Sequence, residues 1–357
     1  MNTKERRETS LTGVSFAILA AVLFGASTPF SKILLGKTEP VLLAGLLYLG
    51  SGTGLTIWWR IRSQSKAGSG EARLRRSDIP WLAGAILAGG IIGPVLLMVG
   101  LAITAASSAS LLLNLKGVFT ALLAWFVFKE NFDRRIAWGM AAITLGGIVL
   151  SWGGRLEVGV PWGALAIVGA CLAWGIDNNL TRRVSAGDPV QIAALKGLVA
   201  GAVNLTIAFA TGAHLPALTT VMMAALLGFF GYGVSLTLFV LALRHIGTAR
   251  TGAYFSLAPF AGALIAVLVL HDSLTPQFVT AAVLMGVGVW LHLTERHAHE
   301  HSHEGIEHDH RHVHDEHHRH EHDESVPLDE PHSHPHRHER MVHSHPHYPD
   351  IHHRHAH

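Results

Sequence analysis

An acid and two amides, Asp177, Asn178 and Asn179, interrupt a long apolar stretch of the chain. A carboxylate buried in a membrane costs about 2.5 kcal/mol or more, so we expect it to face a polar cavity or a cationic partner. Arg182 and Arg183 follow closely, and pairing of Asp177 with one of them at the membrane surface is the alternative. Since basic residues mark the cytoplasmic surface, we expect Asp177 and the two amides to line the cytoplasmic mouth of a pathway.

Two lysines lie deeper in apolar runs. Lys116, with Asn114 two residues before it, lies midway along one run, and Lys196 lies inside another. A lysine that cannot reach the membrane surface must face a cavity or a carboxylate. We expect Lys116 to line the pathway; a structural ion pair with Asp177 is the alternative. Two lysines against one aspartate favour an anionic or zwitterionic solute. Three further candidates for the pathway are Tyr232, Tyr254 and Pro259.

Histidine alternates with charged and polar residues from residue 295 to the end of the chain. Such a tail has little apolar surface to bury, which predicts a disordered segment. Neutral imidazole binds nickel, cobalt, zinc and copper, and a His-x-His chain can bring several imidazoles to one ion. No cofactor is required by this interpretation; the tail binds the metal. The candidate ligands are His299, His301, His303, His308, His310, His312, His314, His332, His334, His336 and His338.

Apolar runs dominate the chain before this tail. Of 357 residues, 49% are hydrophobic and 15% are charged. About 20 apolar residues cross a bilayer, so the runs predict an all-α integral membrane protein with ten transmembrane helices. The single cysteine, Cys171, excludes an intramolecular disulfide and a cysteine-based metal site. The predicted spans are 13–35, 40–60, 79–100, 104–128, 134–152, 161–180, 189–211, 217–242, 248–270 and 275–294.

Lysine and arginine are concentrated in alternate loops between these spans. The basic loops lie at residues 60–76, 129–135, 182–183 and 244–250, whereas the intervening loops carry few basic residues. Basic loops stay in the cytoplasm, so both termini are expected to be cytoplasmic in an inner (plasma) membrane protein. The metal-binding tail is then exposed to the cytoplasm.

The two halves of the body repeat one another. Residues 105–150 match residues 247–292, and Glu39-Pro40-Val41 matches Asp188-Pro189-Val190. Each half holds five predicted spans, an odd number, so the second half must be inverted in the membrane. Inverted repeats place a solute site near the midplane between the halves and permit alternating access. We therefore predict two inverted five-helix repeats, at 11–152 and 161–294, followed by the tail at 295–357.

Several short motifs carry a resemblance to a known family. They are Phe24-Gly25-Ala26-Ser27-Thr28-Pro29-Phe30, Phe128-Lys129-Glu130, the glycines between Gly139 and Gly147, and Ala258-Pro259-Phe260. In this order the chain resembles the EamA branch of the drug/metabolite transporter superfamily. The resemblance implies ten helices, cytoplasmic termini and export of small metabolites. It departs from the family pattern at Lys116-Gly117, where the second half has Ala258-Pro259.

These observations predict a secondary transporter that exports its solute. We expect the solute to be divalent nickel, cobalt or zinc gathered by the tail. The alternatives are an exporter of amino-acid-like or carboxylate metabolites that the tail regulates through metal or pH, and a membrane metal sensor or buffer that transports nothing. The expected partners are the lipid bilayer and the solute or metal ion; a homodimer is left open, and nucleic acid is not expected. The sequence contains no ATP-binding motif or catalytic constellation, so neither an enzyme nor a primary pump is expected.

Overall fold

The computed structural model describes residues 3–64, 76–128, 134–151, 161–184 and 188–293, and four short segments of the tail at 298–302, 307–312, 332–337 and 342–346. Apart from a short 3-10 turn and two π-helical segments, the regular structure of the described body is α-helical. The helices are α1 (Thr3–Leu35), α2 (Pro40–Gln64), α3 (Ile79–Ala85), α4 (Gly93–Ile103), α5 (Ala106–Leu112), α6 (Leu115–Phe128), α7 (Arg134–Ser151), α8 (Trp162–Arg183), α9 (Pro189–Ala210), α10 (Leu218–Gly228), α11 (Ser235–Phe255), α12 (Ala258–Leu270) and α13 (Pro276–Leu293).

Seven helical stretches of the described body have the length and apolar composition to cross a membrane. Two further apolar helices, Ala258–Leu270 and Pro276–Leu291, are shorter. The chain is therefore a multi-pass membrane protein, while the count of ten crossing helices stays a prediction. The seven stretches are Thr12–Leu35, Pro40–Ile61, Arg76–Ile103, Ala106–Val127, Trp162–Thr181, Val190–Ala210 and Leu218–Ala242.

Two of the predicted spans are each divided by a turn. The span predicted at 104–128 breaks at residues 113–114, between α5 and α6, and the span predicted at 248–270 breaks at residues 256–257, between α11 and α12. Pro259 lies in the first turn of α12, where a missing N–H is tolerated. The sequence predicts a loop near residue 245, between the spans at 217–242 and 248–270. In the structure, helix α11 continues through that region to Phe255.

A π-helical segment also occurs in each half. Residues Ile86–Ile92 join α3 to α4, and Phe229–Val234 join α10 to α11. The π segments and the helix breaks recur in the second half at the same spacing. The second π segment begins 143 residues after the first (86 to 229), and α12, which follows the second break, begins 143 residues after α6 (115 to 258). The two halves therefore share the positions of their irregular backbone as well as their sequence pattern.

The principal helix contacts join the two halves. Helix α2 packs along α9, α1 along α11 and α12, α7 along α13, and α8 against both α4 and α6. Leu42, Leu97, Leu111, Ile167 and Met285 are fully buried between them. The outer surface is apolar as well; Trp138 and Leu218, for example, are 71% and 74% exposed. An apolar exterior around a packed interior is what a lipid-facing helical body requires.

Four short strands are described in the tail, while disorder of the tail as a whole stays a prediction. Strand β1 (Ala298–Ser302) pairs with β4 (Val342–Pro346), and β2 (Glu307–His312) pairs with β3 (His332–Arg337), both antiparallel.

A candidate solute cavity between two broken helices

A cavity of about 310 Å³ lies where the two divided helices meet. The turn at residues 113–114 and the turn at residues 256–257 both contribute to its wall, together with α1, α7, α8 and α13. Discontinuous helices provide ligand sites in membrane proteins because irregular backbone is tolerated where it borders a cavity. The lining residues are Phe24, Leu113, Asn114, Lys116, Gly117, Ile143, Trp174, Gly252, Phe255, Ser256, Ala258, Pro259 and Val289.

Lys116 is the charged residue of this lining. Its ammonium nitrogen lies 5.1 Å from the centre of the Phe24 ring and 5.8 Å from that of the Phe255 ring. These contacts are cation–π interactions, which attract the ammonium but leave its capacity for an anion free. The sequence predicts that Lys116 lines the pathway, and the structure places it in the cavity wall.

The amide of Asn114 and the ring of Pro259 belong to the same wall. Asn114 is buried, and its Nδ2 donates to the carbonyl oxygen of Leu111 at 2.9 Å. Gly117 and Gly252 border the cavity and are exposed; a Cβ built on either would meet no atom within 4 Å. The cavity therefore has its open side at these two glycines.

Asp177 is paired with Lys196 and not with Lys116. Lys196 donates to the carboxylate of Asp177 at 2.5 Å and to the hydroxyl of Thr181 at 3.1 Å, and Thr181 donates to the same carboxylate. The carboxylate also packs against Gly89, where a Cβ would overlap it. This ion pair joins α8 to α9 beside the first π segment. The carboxylate of Asp177 is therefore not the partner of Lys116.

The two amides after Asp177 bind a neighbouring helix instead of the cavity. Asn178 donates to the hydroxyl of Thr120 at 3.1 Å, and the buried Asn179 donates to the carbonyl oxygens of Thr120 and Gly175. Neither amide is among the residues that line the cavity. The structure thus separates the predicted group: Asp177 contacts α9, and the amides join α8 to α6.

Side chains from three helices bind the carbonyls of the first π segment. Gly89 accepts hydrogen bonds from the hydroxyl of Tyr48 at 2.8 Å and from the indole of Trp174 at 2.9 Å. Asn204 donates to the carbonyl of Gly90 at 3.0 Å. Pro94, four residues after Gly90, has no N–H to donate to it. The irregular backbone is therefore satisfied by tertiary contacts.

Asn204 and Tyr48 were not predicted as site residues. Asn204 is fully buried within an apolar helix, and this polar interruption is the signal that identifies it. Tyr48 and Tyr232 are in ring contact at 5.5 Å, and Tyr232 also contacts Phe24 at 5.8 Å. Tyr232 thus supports the ring of Phe24 behind the cavity wall. Tyr254 is half-buried, and it is not among the lining residues.

The predicted metal ligands are in the tail, apart from this cavity. Their side chains lie outside the described part of the chain, and so do residues 303, 314 and 338 entirely. Where side chains are described, no three His, Cys, Asp or Glu residues are grouped closely enough to hold a metal ion. Metal binding by the tail stays a prediction.

Removal of one partner of the Asp177–Lys196 pair is expected to destabilise the body by about 3 kcal/mol, because the side chains are only 11% and 16% exposed and the remaining charge would be buried without its counter-charge. Replacing Asp177 by Leu should lower the melting temperature, since it leaves the ammonium of Lys196 unpaired. The Asp177→Leu/Lys196→Leu double variant should recover part of the loss. Thermal unfolding in detergent, followed by monodispersity on size exclusion, measures both. Additive losses in the double variant would show that the pair contributes no coupling energy.

The sequence profile of the EamA-like transporter family matches residues 11–152 and 161–294, most of the chain. The chain belongs to this family. Transport of a small solute across a membrane is accordingly its function, and nothing in the family assignment indicates an enzyme.

Two relatives are similar to most of the body. An uncharacterized transporter of Methanothermobacter thermautotrophicus is 28% identical over 295 residues, which cover 79% of this chain and 86% of that protein. The uncharacterized inner membrane transporter YedA of Escherichia coli K12 is 24% identical over 265 residues, covering 71% and 81%. A crystal structure 18% identical to this chain matches its fold with a TM-score of 0.58, over 80% of this chain and 95% of that one.

Proposed function

We propose that this protein is a secondary transporter that exports a small organic anion or zwitterion with an apolar body, such as an amino-acid-like or carboxylate metabolite. The observation that carries the proposal is the ammonium of Lys116 in the wall of an otherwise mostly apolar cavity. An ammonium is suited to a carboxylate, and the charge-assisted contact would fix the orientation of the solute.

The size and lining of the cavity support the same solute class. A volume of about 310 Å³ is at the low end of the range for small-molecule sites. Beyond Lys116, the polar side chains of the lining are Asn114, Ser256 and the indole N–H of Trp174, and that N–H is already bonded to Gly89. Phe24, Phe255 and Val289 provide apolar surface. A carboxylate at Lys116 with a small hydrophobic group among these side chains fits the chemistry.

A divalent cation fits this cavity less well. The ammonium of Lys116 would repel it, and the carboxylate of Asp177 is engaged by Lys196 outside the lining. Export of nickel, cobalt or zinc therefore depends on the composition of the tail alone. Within our proposal the tail is a cytoplasmic metal-binding regulator. The strand register supports this role, since it sets His308 opposite His336 and His310 opposite His334.

Alternating access by two inverted repeats is the proposed mechanism. The shared positions of the π segments and of the helix breaks support it, as do the contacts that join the halves. Export is the proposed direction because the basic loops favour cytoplasmic termini, which would let the metal-binding tail sample the cytoplasm. In this arrangement the tail and the open side of the cavity are both on the cytoplasmic side of an inner membrane.

The test is solute uptake into inside-out vesicles that contain the full-length chain. Labelled amino acids and carboxylates are expected to accumulate, and labelled nickel, cobalt and zinc are not. A chain truncated before residue 297 should still transport the organic solute, because the cavity lies wholly in the body. Vesicles without the protein are the control. Uptake of metal but of no organic solute, abolished by the truncation, would contradict the proposal and support metal export.

A further inference from the structure

The end of the body opposite the open side of the cavity is closed by close helix packing. Gly25 of α1 lies against the backbone of Ala258 and Gly262 in α12, and Ser110 of α5 lies against Gly262 from the other side. Ser110 is 1% exposed. A solute in the cavity therefore meets a closed layer between α1, α5 and α12.

Lys32 secures the turn that lies beyond this layer. Its ammonium donates to the carbonyl oxygens of Leu101, Ala102 and Thr104, at 2.6, 3.0 and 3.0 Å. These carbonyls end helix α4, where the last turn lacks intrahelical donors. A cation at a helix C-terminus is also favoured by the helix dipole. Three hydrogen bonds thus connect α1 to the end of α4.

Asp272 secures the same turn from a second direction. Its Oδ2 accepts a hydrogen bond from the backbone N–H of Ser107 at 2.8 Å, in the first turn of α5. Asp272 follows His271, whose left-handed backbone (φ 55°) ends α12. The carboxylate thus connects the α12–α13 turn to α5, while Lys32 connects α1 to α4.

We propose that Lys32 and Asp272 form a latch that keeps this end of the pathway closed. Both bind residues 101–107, Lys32 from α1 and Asp272 from the turn after α12, so neither α1 nor the end of α12 can move away from the α4–α5 connection while both sets of hydrogen bonds persist. The inference rests on the proposed function only in requiring alternating access, and it is independent of the solute. Release of the latch precedes opening of the layer at Ser110.

The latch is built to be released at small cost. Lys32 and Asp272 are half-buried, so water can replace their hydrogen bonds when the helices separate. The layer beneath it, in contrast, is fully buried. The latch therefore biases the equilibrium between the closed and open states without holding the fold together.

Cysteine labelling tests the latch directly. Cys171 is buried and is the single cysteine of the sequence, so a Cys171→Ala background leaves only introduced thiols. Ser110→Cys reports opening of the closed layer, and Ser256→Cys reports access to the cavity. Each reporter is combined with Lys32→Met, with Asp272→Asn, or with Lys37→Met, a control at an exposed lysine near the end of α1. The purified full chain in detergent reacts with a small maleimide.

Labelling of Ser110→Cys is expected to rise about tenfold in Lys32→Met and in Asp272→Asn. Each substitution removes charge-assisted hydrogen bonding that stabilises the closed state. Labelling of Ser256→Cys should not rise. Lys37→Met should resemble the parent, and Lys32→Arg should retain slow labelling. Only variants that are monodisperse on size exclusion are labelled. If Lys32→Met does not fold, the Asp272→Asn variant alone provides the test. Unchanged Ser110→Cys labelling in the folded latch variants overturns the proposal, whatever the vesicle experiment shows about the solute.

Discussion

Replacement of Lys116 by methionine is expected to reduce transport of an organic anion by about tenfold to a hundredfold. Methionine has a similar length and keeps the apolar contacts, so the variant removes the charge and little else. The ammonium lies between the rings of Phe24 and Phe255 and has no carboxylate among the lining residues. A charge-assisted hydrogen bond to the solute contributes about 1.5–3 kcal/mol, which corresponds to this loss in affinity.

Uptake into inside-out vesicles at several solute concentrations measures this effect. The Lys116→Arg variant retains a cation and should keep a larger part of the activity than methionine. Lys37→Met is the matched control, because this exposed lysine lies outside the cavity. Equal transport by the Lys116→Met variant and the parent, at equal protein in the membrane, would exclude Lys116 as the anion site.

The helices of the body could be predicted from the sequence because the membrane imposes them. In lipid each backbone polar group must be bonded within its own segment, so an apolar run of sufficient length becomes a helix. The predicted span at 189–211 is observed as Pro189–Ala210, and that at 13–35 ends at Leu35 as predicted. The proline at residue 189 marks its helix start in the sequence itself.

The irregular backbone could not be predicted in the same way. The turn at residues 113–114 contains leucine and asparagine, neither of which breaks a helix by itself. The first π segment depends on donors from Tyr48, Trp174 and Asn204, which lie on three other helices. Such a conformation is determined by tertiary contacts, which hydropathy and local propensity do not contain.

The site was predictable in its charges but not in its pairings. The free-energy cost of burying a charge in the membrane is enough to identify Lys116, Asp177 and Lys196, because each interrupts an apolar run. Their partners depend on which helices are adjacent. Packing of α8 beside α9 brings Lys196 to Asp177, and packing of α1 beside α11 brings Phe24 to Phe255 and so forms the aromatic surroundings of Lys116.

Gly25→Ala is expected to destabilise the body by about 3 kcal/mol, at the upper end of the usual cost of overpacking. A Cβ at this position would overlap the carbonyl oxygen of Ala258 and approach the backbone nitrogen of Gly262 to 2.9 Å. The opposing atoms are backbone, so no side chain can rotate away. Helices α1 and α12 would have to separate at the layer that closes the pathway.

Gly252→Ala is the matched control for this substitution. Gly252 is also helical and borders the cavity, but a Cβ there would meet no atom within 4 Å. Because alanine is the better helix former by roughly 0.5–1 kcal/mol, this variant should be as stable as the parent or slightly more stable. Thermal unfolding in one detergent compares the two. A Gly25→Ala variant that melts with the parent would show that α1 and α12 do not approach as closely as their glycines indicate, and the closed layer would then need another explanation.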